Sequence, residues 1–146
     1  MTTVYETNCA EKTIEIARKA AKTLQPGDIL CLNGDLGVGK TVFAKGLAEG
    51  LDIPDDVVSP TFTILKEYHS GRIPLYHFDV YRIEDPDEMA EVGFDEYLYG
   101  DGVSVIEWSE RIPELIPDSA VKVQIEKVPE KGLDYRRITI TEGRHA

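Results

Sequence analysis

Residues Gly34-Asp35-Leu36-Gly37-Val38-Gly39-Lys40-Thr41 spell the phosphate-binding pattern G-x-x-x-x-G-K-[ST]. This pattern constrains the fold more than any other stretch, because it works only where a strand hands over to a helix. Both flanks meet that condition. Ile29-Leu30-Cys31-Leu32 is the short apolar run expected of a buried parallel strand. Beyond the loop, Phe43, Ala44, Leu47, Ala48 and Leu51 recur at helical spacing, with Gly50 near the expected stop. Each fixed residue type has a task on a polyphosphate. The glycines let the backbone curl with several N–H groups inward. Lys40 brings a mobile positive charge to the β- and γ-phosphates, and the Thr41 hydroxyl is a ligand for Mg²⁺. The positive end of the helix dipole points at the same anion. Gly34, Asp35, Leu36, Gly37, Val38, Gly39, Lys40, Thr41 and Val42 are therefore the expected contacts of a nucleoside triphosphate.

A length of 146 residues fits a single domain spanning 1–146, with 42% hydrophobic residues as in a soluble globular protein. No apolar stretch is long enough to span a bilayer, and the N-terminus lacks a basic-then-apolar signal pattern, so no membrane association is expected. Cys9 and Cys31 are too few for a disulfide scaffold and lack the neighbours of a zinc site, which fits a reducing cytoplasm. The net charge is −11, from 27 acidic against 16 basic residues. That balance argues against strong direct binding of nucleic acid, which requires Lys and Arg for the phosphates, and suits docking to a basic protein surface or plain solubility. Lys12, Arg18, Lys19 and Lys22 form a local basic cluster that reads as a solvated helix face.

Elsewhere, Asn8 reads as the N-cap of a helix burying Ile14, Ala17, Ala21 and Leu24, and Pro26-Gly27-Asp28 ends it. A strand running to about Tyr68 turns at His69-Ser70-Gly71-Arg72 into Ile73–Ile83, as a hairpin. Asp85 to Leu98 reads as helical with a break at Gly93. Val103 to Ile106 reads as a core strand ending in Glu107-Trp108. Val121–Lys127 and Tyr135–Thr141 form a final hairpin. The expected fold is a three-layer α/β phosphate-loop NTPase domain with a mixed, partly antiparallel sheet.

A phosphate loop needs an acid at the end of a neighbouring strand to hold Mg²⁺. Asp79, closing Leu75-Tyr76-His77-Phe78-Asp79, and Glu107, closing Val103-Ser104-Val105-Ile106-Glu107, both qualify. One would ligate the metal while the other orients or deprotonates an attacking water. Thr61 lies where switch segments present a hydroxyl to Mg²⁺ and the γ-phosphate, or simply bonds its own turn after Pro60. Arg82 reads as a surface ion-pair residue, or as a source of transition-state charge. His77 reads as a core or hydrogen-bonded histidine, and Trp108 fits either core packing or a place beside the nucleotide.

The chain has no Asn-Lys-x-Asp for guanine, its asparagines being Asn8 and Asn33, and no Asp is followed by Gly three residues later. Ile83 to Gly102 holds no Arg or Lys, unlike the arginine-rich lid of a small-molecule kinase. An ATPase without a visible acceptor pocket remains, of the kind whose nucleotide state controls a partner. Its rivals are a docking module stabilised by ATP and a small-molecule kinase.

Gly-Asp-Leu-Gly-Val-Gly-Lys-Thr (34–41), Ser-Pro-Thr-Phe (59–62), His-Phe-Asp-Val-Tyr-Arg (77–82) and Val-Ile-Glu-Trp-Ser-Glu (105–110) follow one another in an order and spacing that resemble the TsaE (YjeE) family. That is the ATPase subunit of bacterial tRNA threonylcarbamoyladenosine biosynthesis. The resemblance covers nearly the whole chain; the C-terminal hairpin carries no matching motif. It implies slow ATP hydrolysis with Mg²⁺ as cofactor and association with TsaD and TsaB, which modify the adenosine beside the anticodon. Contact with tRNA would be indirect, through that complex. It also implies Lys40 on the phosphates, Thr41 and Glu107 on Mg²⁺, Asp79 as a catalytic acid or base, Thr61 in a switch-like loop and Trp108 near the nucleotide.

Overall fold

Strand β2 (Ile29–Asn33) is the axis of the molecule, because Ile29, Leu30, Cys31 and Leu32 are buried on both of its faces. A strand of this kind must have neighbours on each side and helices above and below. The computed structural model describes residues 2–34, 39–58, 60 and 64–143. The expectations for Asp35, Leu36, Gly37, Val38, Ser59, Thr61 and Phe62 lie outside these residues.

The remaining elements are β1 (Thr2–Thr7), α1 (Ala10–Ala21), α2 (Lys40–Gly50), β3 (Leu65–Tyr68), β4 (Leu75–Asp79), α3 (Glu88–Glu91), α4 (Phe94–Leu98), β5 (Val103–Glu107), β6 (Val121–Lys127) and β7 (Arg136–Thr141). The seven strands form one sheet in the order β1-β7-β6-β2-β5-β4-β3. β2 runs parallel to β5 and β6, and β5 parallel to β4; β1–β7, β6–β7 and β3–β4 are antiparallel. Alternation along the strands feeds two cores. Leu30, Leu32, Val105 and Val123 pack with Ala17, Phe43 and Leu47 of α1 and α2. Cys31, Phe78 and Ile106 pack on the opposite side with Met89, Phe94, Leu98 and Ile112. The expected three-layer α/β fold with a mixed sheet is what the chain adopts.

Local details depart from the sequence reading. No element was expected over residues 2–7, yet β1 pairs along its length with β7. It is exposed up to Thr7, so ladder hydrogen bonds rather than apolar burial hold it. The N-cap of α1 is Cys9, not Asn8, and no side chain caps this end. Gly93 does break the acidic helical stretch, with φ 72° just before α4. The exposed-to-buried hairpin turn also serves α1. Arg72 donates from Nη2 at 2.8 Å to the Ala21 carbonyl, which also accepts the Leu24 N–H at 3.1 Å, at the helix C-terminus.

α1 and α2 approach closely because small residues line their contact. A Cβ built on Gly46 would lie 2.6 Å from Ala17 Cβ and 2.6 Å from the Ile14 carbonyl oxygen. Alanine is a better helix former than glycine by about 1 kcal/mol, but overpacking here costs more. Gly46→Ala is expected to destabilise the fold by about 1–3 kcal/mol, read as a lower denaturation midpoint in urea. An unchanged or raised midpoint would show that the two helices part without strain.

Candidate nucleotide-binding site

Parallel strands end at the same edge of a sheet, and here β2, β4 and β5 do so together. Asp79 and Glu107 are direct register partners across β4 and β5, and Leu32 is opposite Glu107 across β2 and β5. The chain leaves β2 toward the β5–β4 side and later returns to β6 on the other side. Such a switch point is where ligands bind in open α/β sheets. His77 and Asp79, two residues apart, face the same way as Glu107. Alternation with Leu75, Val103 and Val105 puts all three on the side that carries α1 and α2.

Lys40 opens α2 and is only 6% exposed. A buried ammonium needs partners. Its Nζ donates to the Gly34 carbonyl at 2.8 Å and lies 3.7 Å from the centroid of the Trp108 ring. Gly39, before it, adopts φ 106° and ψ 25°, a left-handed conformation that favours glycine. Having no side chain, Gly39 gives the helix no side-chain cap. Thr41 and Val42, in the same turn, are half-buried.

Trp108 follows β5 with φ 63°, an unusual backbone for a bulky residue that costs about 1–3 kcal/mol. Its surroundings hold it there. The Arg111 N–H donates to the Trp108 carbonyl at 3.0 Å in the 3₁₀ turn Ser109–Arg111. Next to it, the Ser109 hydroxyl donates to Asn33 Oδ1 at 3.0 Å, tying the end of β5 to the end of β2. Tyr81 packs on the Trp108 ring at 4.8 Å, and the Arg111 guanidinium lies 5.0 Å from the Tyr81 ring. Lys40, Trp108, Tyr81 and Arg111 thus form a column in which two cations bracket two aromatic rings.

Glu107 is 3% exposed and its Oε2 accepts a 2.6 Å hydrogen bond from His77 Nε2. Asp79 is half-buried, and its Oδ1 accepts from the Tyr81 N–H at 3.0 Å. Burial pushes the Asp79 carboxyl above the usual aspartate range; the Tyr81 hydrogen bond opposes this, Glu107 adds to it, and His77 and Lys40 draw it back. Lys40, Asp79, Glu107 and Trp108 are therefore gathered at one edge. Arg82 is exposed, and Thr61 lies outside the described residues.

Thr41, Asp79 and Glu107 offer only hard oxygen donors, which suit Mg²⁺. This ion keeps several waters and takes one or two carboxylates alongside phosphate oxygens. Among the described residues no group of three or more His, Cys, Asp or Glu forms a cage for a metal. The residues present thus fit a Mg²⁺ carried on phosphates. Beside the loop lies a cavity of about 370 Å³ whose lining includes Cys9, Thr13, Gly39, Val42, Asp134 and Arg136. Of these, sequence reasoning singled out only Gly39 and Val42 as contacts. The others come from the start of α1 and of β7, joined through β1, and no short-range pattern marks them. A larger cavity, about 550 Å³ between α1 and the β1–β7–β6 side, includes none of Lys40, Asp79 and Glu107 in its lining.

The sequence model of the family described as "Threonylcarbamoyl adenosine biosynthesis protein TsaE" matches residues 7–138. This chain belongs to the TsaE family. A relative from Bacillus subtilis (strain 168), named tRNA threonylcarbamoyladenosine biosynthesis protein TsaE, is 50% identical over 131 residues, covering 90% of this chain and 80% of the relative. A Treponema pallidum (strain Nichols) protein of the same name is 42% identical over 116 residues, covering 80% and 85%. The crystal structure of Bacillus subtilis YdiB superposes with a TM-score of 0.82 at 41% identity, covering 99% of this chain and 87% of that one. The TsaE-family chain therefore has the phosphate-loop NTPase fold expected of it.

The raised Asp79 carboxyl has a consequence for stability. A group whose folded pKa lies above its unfolded value stabilises the fold at pH below the ordinary aspartate range, and that contribution is lost as pH rises through the raised value. At neutral pH the ionised Asp79 is thus a net cost. Asp79→Asn is expected to raise Tm at pH 7, with the gain shrinking as both proteins approach about pH 4. A lower Tm for the variant at pH 7 would contradict this account.

Proposed function

We propose that this TsaE-family chain binds and hydrolyses ATP with Mg²⁺ and serves tRNA threonylcarbamoyladenosine biosynthesis as an ATPase subunit. The observation that carries the reading is the placing of Lys40, at the first turn of α2, on the ring of Trp108 directly after Glu107, which pairs with Asp79 across the ends of β4 and β5. Phosphoryl transfer needs little covalent chemistry from a protein; it needs positioning and charge.

In this reading the loop amides and Lys40 hold the phosphates, and Lys40 exchanges its Gly34 carbonyl contact for phosphate oxygens. Thr41 and Glu107 would hold Mg²⁺, which would supply charge neutralisation on the phosphates. Asp79 orients the attacking water and accepts its proton, a task helped by a carboxyl that burial has made more basic. The cavity bounded by Gly39, Val42 and Arg136 adjoins the loop and receives the nucleoside end. Thr61 contributes from the switch-like segment, and Trp108 lies against the lysine that meets the nucleotide.

The partners in this proposal are TsaD and TsaB, with tRNA met only through them. The acceptor chemistry belongs to that pair, and hydrolysis here resets the complex between turnovers. The excess of acidic residues supports docking beside tRNA-binding proteins without gripping tRNA directly. A cytoplasmic location is supported by two free cysteines, and among the described residues no helix is long and apolar enough to cross a membrane.

The test is ATP hydrolysis by the purified chain, alone and with TsaD and TsaB. The pair is expected to stimulate turnover, and Lys40→Ala is expected to abolish productive ATP binding and hydrolysis in both conditions. Normal turnover by the variant would remove Lys40 from the site. Glu107→Ala is expected to weaken Mg²⁺ dependence more than Asp79→Ala does, as read from rates across a Mg²⁺ titration. The reverse ranking would exchange the two roles.

A further inference from the structure

The face of β4 and β5 that carries α1 and α2 is lined by Leu75, Val103 and Val105, and among these apolar residues stands His77 at 0% exposure. Its register partners are Val105 on β5 and Lys66 on β3. Nε2 lies 2.6 Å from Glu107 Oε2, and since a carboxylate only accepts, the ring donates from Nε2. The other ring nitrogen, Nδ1, is buried without a hydrogen-bond partner among the described residues. An unsatisfied buried polar atom is unfavourable, and an aliphatic residue like its neighbours on this face would avoid it. The position therefore tolerates a cost to keep one donor aimed at Glu107.

We propose that His77 is a positioning residue for the metal ligand Glu107: its Nε2–H bond fixes the carboxylate in the orientation that receives Mg²⁺. This rests on the reading of the site as one for Mg²⁺ and ATP. A glutamate has three side-chain torsions, while a metal ligand must be held to within about 0.5 Å. Hydrogen-bonded partners of metal ligands typically govern metal affinity by about 10–100-fold. A donor needed only to satisfy a buried carboxylate would affect stability and leave metal affinity where it was.

His77→Gln and His77→Asn separate these possibilities. The glutamine amide reaches roughly where Nε2 stands and keeps a donor on Glu107; the asparagine amide stops near Nδ1 and loses it. Mn²⁺ is titrated into the ADP-saturated chain, with free Mn²⁺ read by electron paramagnetic resonance, and ADP affinity in EDTA is measured by calorimetry. The expected result is about a 10–100-fold weaker Mn²⁺ affinity for His77→Asn, recovery in His77→Gln, and equal ADP affinity in EDTA throughout. Equal Mn²⁺ affinity in wild type and His77→Asn overturns the role of His77 while leaving the nucleotide site standing. Equal losses in both variants assign the effect to packing and also overturn it. Failure of the wild type to bind ADP or Mn²⁺ removes the nucleotide reading itself. Should His77→Asn not fold, His77→Phe, an apolar ring without a donor, takes its place with the same expected loss.

Discussion

A strand that is apolar on both faces can meet water only at its ends, and β2 is such a strand. Its burial requires β5 and β6 beside it and helices above and below, so the chain must leave its C-terminal end through a turn at the sheet edge. Gly39 and Lys40 then open α2 beside that edge. The same parallel ladder carries β5, and through it β4, to the same edge, where Glu107 and Asp79 finish side by side. The site is thus a consequence of the core: hydrophobic burial fixes the ladder, and the ladder brings the charged groups together.

Those groups are arranged at some expense of stability. Lys40, Glu107 and His77 are buried, Asp79 is held above its ordinary carboxyl range, and Trp108 occupies a left-handed backbone conformation. Each departs from what packing alone favours, and they cluster at one edge of the sheet. Local strain and perturbed ionisation concentrated in this way mark functional sites. Mutual pairing offsets part of the cost: Lys40 with Trp108 and the Gly34 carbonyl, Glu107 with His77, Asp79 with the Tyr81 amide.

How much was legible in the sequence follows from the range of the interactions involved. The β2–loop–α2 unit, β5 and the β6–β7 hairpin announce themselves because periodicity and turn residues act over a few positions. Asp79 and Glu107 were legible as strand-end acids, although only the β4–β5 register makes them neighbours. β1 was not, since its exposed residues show no core-facing alternation and its stability comes from β7, far away in sequence. The His77–Glu107 bond, the left-handed Trp108 and the cavity that Arg136 and Gly39 both line likewise depend on distant pairings that no local pattern encodes.

The most direct measurement of the central claim is a crystal structure of the chain with Mg²⁺ and a non-hydrolysable ATP analogue. The account places the triphosphate on the Gly34–Thr41 loop, with Lys40 Nζ on phosphate oxygens, Mg²⁺ on Thr41 and Glu107, and Asp79 facing the γ-phosphate. A nucleotide bound in the α1–β1 cavity, or a metal held away from both Thr41 and Glu107, would contradict it.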